Sequence, residues 1–245
     1  MTNEEVYMKV SVIIPMYNEN KIIADTAKTL SDFMEKSFFD YEIVFVDDGS
    51  RDGSADTVRG LSLKNVKVLG YGENRGKGCA VRHGMLESDG DVRIFTDADL
   101  AYVTDVICRA VDAFKSSGAD IIIGSRNIDK DGYDGYTLKR KLMSKTYIRL
   151  LCFVGGFKLS DSQCGFKVFS RQAAEMVFSK CSVDSFAFDF EAIIRAQRYG
   201  FKISEIPVRI VNHRESSVRP VRDALKMLGD LRRIKKAIRT EKDHN

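Results

Sequence analysis

Five short apolar runs divide the first half of the chain at regular intervals: residues 9–15, 41–46, 66–70, 91–96 and 120–124. Residues 9–15 are a near-continuous apolar run, as strands are when a parallel sheet buries them on both faces, and the other four have apolar centres of the same kind. Amphipathic stretches lie between them. From Asn18-Glu19-Asn20 to about Lys36, one helical stripe carries Ile22, Ile23, Thr26, Ala27, Leu30, Phe33 and Met34. Shorter helices are predicted from an Asp52 or Ser54 cap to Leu61, from Gly76 to Leu86, and from Thr104 to Lys115. This alternation predicts an α/β fold, a mostly parallel sheet with helices on both faces, and a ligand site at the carboxyl ends of the strands. The 245 residues, 44% of them hydrophobic, suffice for one large domain.

Beyond Arg126 the pattern changes. A Gly/Asp/Tyr-rich loop runs from Asp129 to Tyr136, followed by a basic, apolar helix from Leu138 to about Phe153. A loop, Leu159 to Cys164, leads into a strand at Gly165–Phe169. Helices are expected at Arg171–Phe178 and Phe188–Tyr199, strands at 202–206 and 208–212, and a last helix at Pro220–Arg239. No internal repeat or low-complexity linker interrupts the chain.

Composition narrows the function classes. A net charge of +4 does not imply nucleic-acid binding. Five cysteines with no Cys-x-x-Cys pair read as reduced, buried thiols of a cytoplasmic protein, and three scattered histidines argue against zinc. The N-terminus is polar and acidic, unlike a signal peptide, and no apolar run approaches the roughly 18 residues of a membrane span.

Chemistry collects where the strands end. Asp97-Ala98-Asp99 places two carboxylates just past the fourth strand, where they can hold a divalent cation against a diphosphate. Asp47 and Asp48 follow the second strand and can accept from a base N–H and a ribose hydroxyl, with Gly49 allowing a tight turn. A helix cap with an Asx turn is the plain alternative. Pro15 and Tyr17 could form a wall for a base to stack on. Arg75 and Lys77 lie among glycines after the third strand, where positive charge and open backbone N–H groups suit a diphosphate. Neither a Rossmann nor a P-loop fingerprint is present.

In combination, Pro15-Met16-Tyr17-Asn18-Glu19, Asp47-Asp48-Gly49-Ser50, Asn74-Arg75-Gly76-Lys77-Gly78, Asp97-Ala98-Asp99-Leu100, Gly124-Ser125-Arg126 and Asp161-Ser162-Gln163-Cys164-Gly165-Phe166-Lys167 resemble the inverting glycosyltransferases of family 2, which have the GT-A fold. Within the family the likeness is to the dolichyl- and polyprenyl-phosphate sugar synthases, both glucosyl and mannosyl branches. It runs from about Val10 to Val218. The resemblance implies a nucleotide-sugar-binding half at 1–125, an acceptor-binding half at 126–218 and a basic amphipathic helix at 219–245. It implies a nucleoside pocket lined by Pro15, Tyr17, Glu19 and Asp47 with Asp48 nearby. Arg75, Lys77, Ala98 and Lys167 would serve the donor. Asp97 and Asp99, joined by Gln163, would hold Mg²⁺ or Mn²⁺. Arg126, Arg140 and Ser144 would grip the phosphate of a lipid acceptor, and Asp161 would sit beside the reacting sugar.

A phosphate acceptor is already anionic, so its attack requires no strong general base, and the chain offers no obvious catalytic histidine. The Asp161–Lys167 wording is more like the glucosyl branch, favouring UDP-glucose over GDP-mannose. Residues 138–153 and the last helix, with Val221, Leu225, Leu228, Leu231, Ile234 and Ile238 on one stripe, have the character of basic helices that lie on anionic membranes. Packing against the domain is the alternative for both. The expectation is a peripheral protein at the cytoplasmic face of a membrane, with a membrane-protein partner as a further candidate. Three rivals remain: a family 2 enzyme acting on a saccharide hydroxyl with Asp161, Asp189 or Glu191 as base, a sugar nucleotidylyltransferase, and a non-catalytic nucleotide-binding module.

Overall fold

A computed structural model of the chain describes residues 8–102, 104–128, 132, 138–211 and 220–241, with the side chains of 138–140, 143, 144, 147 and 220–228 outside that description. Seven strands form one sheet: β1 Val10–Met16, β2 Tyr41–Asp47, β3 Val66–Gly70, β4 Val92–Phe95, β5 Ile121–Ser125, β6 Lys167–Ser170 and β7 Ile203–Pro207. Their spatial order is β3-β2-β1-β4-β6-β5-β7. All neighbours are parallel except β6, which runs antiparallel to both β4 and β5.

Eight helices accompany them among the described residues: α1 Ile23–Ser37, α2 Ser54–Gly60, α3 Lys77–Glu87, α4 Asp105–Ser117, α5 Leu138–Gly155, α6 Arg171–Phe178, α7 Phe188–Arg198 and α8 Pro220–Thr240. Successive strand residues point to opposite faces. Val12, Ile14, Ile43, Phe45 and Ile122 therefore pack with α1, α2 and α4, while Ile13, Val44, Val46, Ile121 and Ile123 pack with α3 and α5–α8. Two apolar faces on one sheet explain why consecutive strand residues are so often both hydrophobic.

Three local expectations need correction. The segment 208–212 is no strand over its described part. Val208 N–H donates to Ser125 O at the end of the β5–β7 ladder, and beyond it the chain leaves the sheet, with Ile210 making a single antiparallel bridge to Tyr102. Neither Asp52 nor Ser54 caps α2: the cap position is Gly53 at φ 84°, while Asp52 Oδ1 accepts from Ser54 N–H at 3.0 Å in an Asx turn. Helix α1 starts at Ile23, since Asn18 and Asn20 are tied to the loop before α2: Asn18 N–H donates to Ser50 Oγ and Asn20 N–H to Asp52 Oδ2.

The last helix also departs from a purely membrane-facing reading. In its described part, Leu231, Ile234 and Ile238 are buried against the domain. Glu241 just beyond the helix pairs with Arg195 of α7 at 3.0 Å, and Lys235 Nζ donates to Val154 O. No helix among the described residues is long and apolar enough to cross a membrane.

The amino end of the sheet is held by buried Glu42, which accepts from Ser11 Oγ (2.6 Å), Asp89 N–H (2.6 Å) and Lys67 Nζ (2.8 Å). Burial pushes its pKa up, but these donors favour the carboxylate and leave it below the ordinary 4.5. A depressed carboxyl contributes stability that is complete above its unfolded value and is lost as pH falls through the folded one. Glu42→Gln is expected to lower stability at pH 7 by about 1–3 kcal/mol. The gap from wild type should narrow as pH falls below the ordinary value, read from urea unfolding across the acid range.

Candidate active site

The carboxyl ends of β1, β2 and β4 lie side by side: Met16 is level with Asp47, and Ile13 with Phe95, two residues before Asp97. Because β6 is antiparallel, its amino end, preceded by Asp161–Phe166, arrives at this same edge beside the end of β5. One sheet edge therefore brings together Pro15, Asp47, Asp97, Lys167 and Ser125-Arg126.

Asp97 is the centre of this arrangement. Its Oδ1 receives the ammonium of Lys77, the first residue of α3. Its Oδ2 lies over Gly165 so closely that a Cβ there would collide with it. Behind it, Thr26 Oγ1 donates to Ala98 O at 2.6 Å, and Asp99 Oδ1 accepts from Ala101 N–H at 3.1 Å. Leu100 closes the turn at φ 46°, a left-handed conformation that a branched side chain adopts at a cost. Burial pushes the Lys77 pKa down, but Asp97, Asp189 and Asp99 outweigh it and the ammonium is held above its ordinary value.

Gly165→Ala is expected to lower kcat about 100-fold, the scale of an ångström-sized misplacement of a reacting group. Its melting temperature should stay close to wild type, since the clash falls on one carboxylate rather than on the core. Steady-state rates beside a thermal melt would test this.

Two further ion pairs support the same region. Arg126 forms a bidentate pair with fully buried Asp161, Nε to Oδ2 at 2.6 Å and Nη2 to Oδ1 at 3.0 Å. Burial lowers the guanidinium pKa, yet Asp161 holds it well above its ordinary value. Lys167 is fully buried: its ammonium donates to Asp189 Oδ1 (2.6 Å) and Cys164 O (2.7 Å) and sits 5.3 Å from the Phe95 ring centre. Burial raises the Asp189 pKa, and Lys167 only partly opposes it.

The glycine-rich loop does different work from that expected. Asp48 is 3% exposed and accepts from Tyr71 Oη, Asn74 Nδ2, Arg75 N–H and Gly76 N–H. Gly78 N–H donates to Asp184 O. The backbone donors read as open to a diphosphate are thus occupied, and the glycines serve close packing: a Cβ on Gly76 would meet Asp184 O at 2.5 Å. Asp48 builds this loop instead of facing a base or ribose. Gly49, at φ 74°, passes against Glu73 and Asn74, where a Cβ would be 2.5 Å from Glu73 C.

The remaining expected residues fall as follows. Tyr17 is 45% exposed, next to Asn18, whose N–H donates to Ser50 Oγ. Glu19 N–H donates to Ser54 Oγ, and Ser50 N–H donates to Asp47 Oδ1. Arg75 faces Asp184 at 3.6 Å and lies over the Tyr71 ring. Gln163 N–H donates to Asp161 Oδ1, while its buried Nε2 has no hydrogen-bond partner. Arg140 and Ser144 belong to α5, but their side chains lie outside the described residues. Among the described residues no group of three or more His, Cys, Asp or Glu could hold a metal.

Glu205, Tyr102 and Asp184 are central here yet stand outside every motif read from the sequence. Glu205 accepts from Ser160 N–H, Ser160 Oγ and Asp161 N–H, fixing the loop that carries Asp161. Its signal was a carboxylate inside a short strand. Tyr102 Oη accepts from Gly165 N–H at 3.3 Å. Asp184 pairs with Arg82 at 2.6 Å beneath the Arg75 loop.

Residues 11–178 match the family model described as glycosyl transferase family 2. The chain is a family 2 glycosyltransferase. The enzyme is 32% identical to the dolichyl-phosphate beta-glucosyltransferase of Dictyostelium discoideum over 92% of this chain and 73% of that one. It is 30% identical to the Saccharomyces cerevisiae protein of the same name over 94% and 74%. Among solved structures it resembles glucosyl-3-phosphoglycerate synthase from Mycobacterium tuberculosis in complex with Mn²⁺, UDP and glucosyl-3-phosphoglycerate. The TM-score is 0.68 at 17% identity, covering 94% of this chain and 79% of that one. The glycosyltransferase thus has the expected GT-A fold.

Proposed function

We propose that this glycosyltransferase moves glucose from UDP-glucose to a polyprenyl phosphate at a membrane surface, with a divalent cation assisting. The observation that carries the reading is that the three carboxylates named as candidate general bases are already matched. Asp161 is held by Arg126, Asp189 by Lys167, and Glu191 by Arg195 and the Ser182 and Val183 amides. A saccharide hydroxyl would require such a base, whereas an ionised phosphate attacks without one. The relatives named as dolichyl-phosphate glucosyltransferases support the same acceptor class and sugar.

The residues fit a hard cation. Asp97 and Asp99 are oxygen donors at a strand end, and Asp97 already holds a positive charge, the Lys77 ammonium. They would hold Mg²⁺ or Mn²⁺ with Gln163 adjoining, and such an ion supplies charge stabilisation for the departing diphosphate. Pro15, Tyr17, Glu19 and Asp47 would receive the nucleoside. Arg126, clamped on Asp161, would present a fixed guanidinium to the acceptor phosphate, and Arg140 and Ser144 would share that role. Lys167 has no exposure and its ammonium is bonded to Asp189 and the Cys164 carbonyl, so the direct donor contact expected of it is replaced by a supporting role in the core. On α5, Leu142, Leu150 and Phe153 are exposed, Phe153 by 84%, beside Arg149. Apolar side chains so presented on a basic helix suit an anionic bilayer surface.

The test is a panel of nucleotide sugars offered with a polyprenyl phosphate, reading glycolipid by mass. A hexosyl product from UDP-glucose is expected. Product from GDP-mannose alone would overturn the donor, and transfer only to a saccharide would overturn the acceptor. Arg140→Ala should raise the KM for polyprenyl phosphate about tenfold, the scale of one lost charged contact, while UDP affinity stays unchanged. Equal loss of both would remove Arg140 from the acceptor side. Arg126→Ala serves poorly here, because it leaves buried Asp161 without its bidentate partner.

A further inference from the structure

We infer that Lys77 is a stand-in for the divalent cation: its ammonium holds Asp97 until the donor diphosphate draws it off, so that cation and nucleotide are taken up together. The inference rests on the proposed cation role of Asp97 and concerns how that site is filled.

The Asp97 side of the pair is static. Ala98 O is bonded by Thr26, and Asp97 Oδ2 is confined against Gly165. The Lys77 backbone is static too, since Gly76 N–H is held by Asp48 and Gly78 N–H by Asp184 O. What can move is the four-carbon stem of Lys77, a flexible carrier of a point charge. Exposure separates this pair from its neighbour. Side chains of Lys77 and Asp97 are 22% and 33% exposed, whereas those of Lys167 and Asp189 are 0% and 11%. The first pair can therefore exchange partners with an incoming ligand, and the second cannot without opening the core.

With Lys77 in place, Asp97 is neutralised and a second positive charge is repelled from the same oxygen. A diphosphate would offer the ammonium an anionic alternative, leaving Asp97 free for the cation. Lys77 thus disfavours idle metal binding and couples it to the donor, a coupling that is reciprocal by linkage.

The experiment measures Mn²⁺ binding to the full chain by the paramagnetic resonance signal of free Mn²⁺, with and without UDP, for wild type, Lys77→Met, Lys77→Gln and Asp97→Asn. In wild type UDP should tighten Mn²⁺ binding at least tenfold. Both Lys77 variants should bind Mn²⁺ alone at least tenfold more tightly than wild type and gain little from UDP. Folding of each variant is checked by its melt, and two substitutions of different polarity guard against one that fails to fold. Mn²⁺ affinity of the folded Lys77 variants equal to or below wild type would overturn the inference. If Asp97→Asn abolishes Mn²⁺ binding while the Lys77 variants match wild type, only the stand-in role falls. If Asp97→Asn binds Mn²⁺ like wild type, the cation assignment itself falls.

Discussion

Asp97→Asn should lower kcat/KM about 1000-fold, some 4 kcal/mol of transition-state stabilisation. The amide keeps the shape of the side chain and loses the charge on which both Lys77 and the proposed cation depend. Its effect on folding should be small. Asp97 is one-third exposed, and Lys77 can turn toward solvent once its partner is neutral. Rates measured at saturating metal, beside a thermal melt, separate the two effects. A variant within tenfold of wild type would remove Asp97 from the chemistry.

Lys167→Met carries the largest expected loss of stability. It leaves the Asp189 carboxylate buried without its cation, a situation that costs about 3–5 kcal/mol. In a chain of this size that corresponds to roughly 10 °C in melting temperature. The double variant Lys167→Met with Asp189→Leu removes both charges and should recover most of the loss. Single and double variants compared by urea unfolding would show it. If the double variant is no more stable than Lys167→Met, the pair is held by contacts other than its charges.

Much of this architecture was legible because a sheet covered on both faces leaves a simple trace. Ile13 and Ile14 point to opposite helical layers and both are apolar, so β1 appears as a run interrupted only by Ser11. The helical stripe of α1 was legible in the same way, through Ile23, Ala27, Leu30 and Met34. The position of Asp97 at a sheet edge followed from the strand before it. Less legible was whatever depends on contacts between distant segments. The glycines at 76 and 78 look like a phosphate cradle until the 183–184 backbone is seen against them. Lys167 was expected to serve the donor, but it is buried on Asp189, which lies 22 residues on, between two phenylalanines of α7. The reversed direction of β6 also has no local signature, since strand composition does not encode the sense of pairing.

The insertion of β6 has a consequence for biosynthesis. β5 reaches the rest of the sheet only through β6, and β4 has no other neighbour on that side. Until the ribosome has delivered residue 170, β4 (Val92–Phe95) lacks one neighbour and β5 (Ile121–Ser125), whose other partner β7 is made later still, lacks both. Such edges recruit strands from other molecules. Expression of the first 125 residues alone should therefore yield sticky, aggregating material, and the full-length polypeptide is most vulnerable during the interval when α5 is being made.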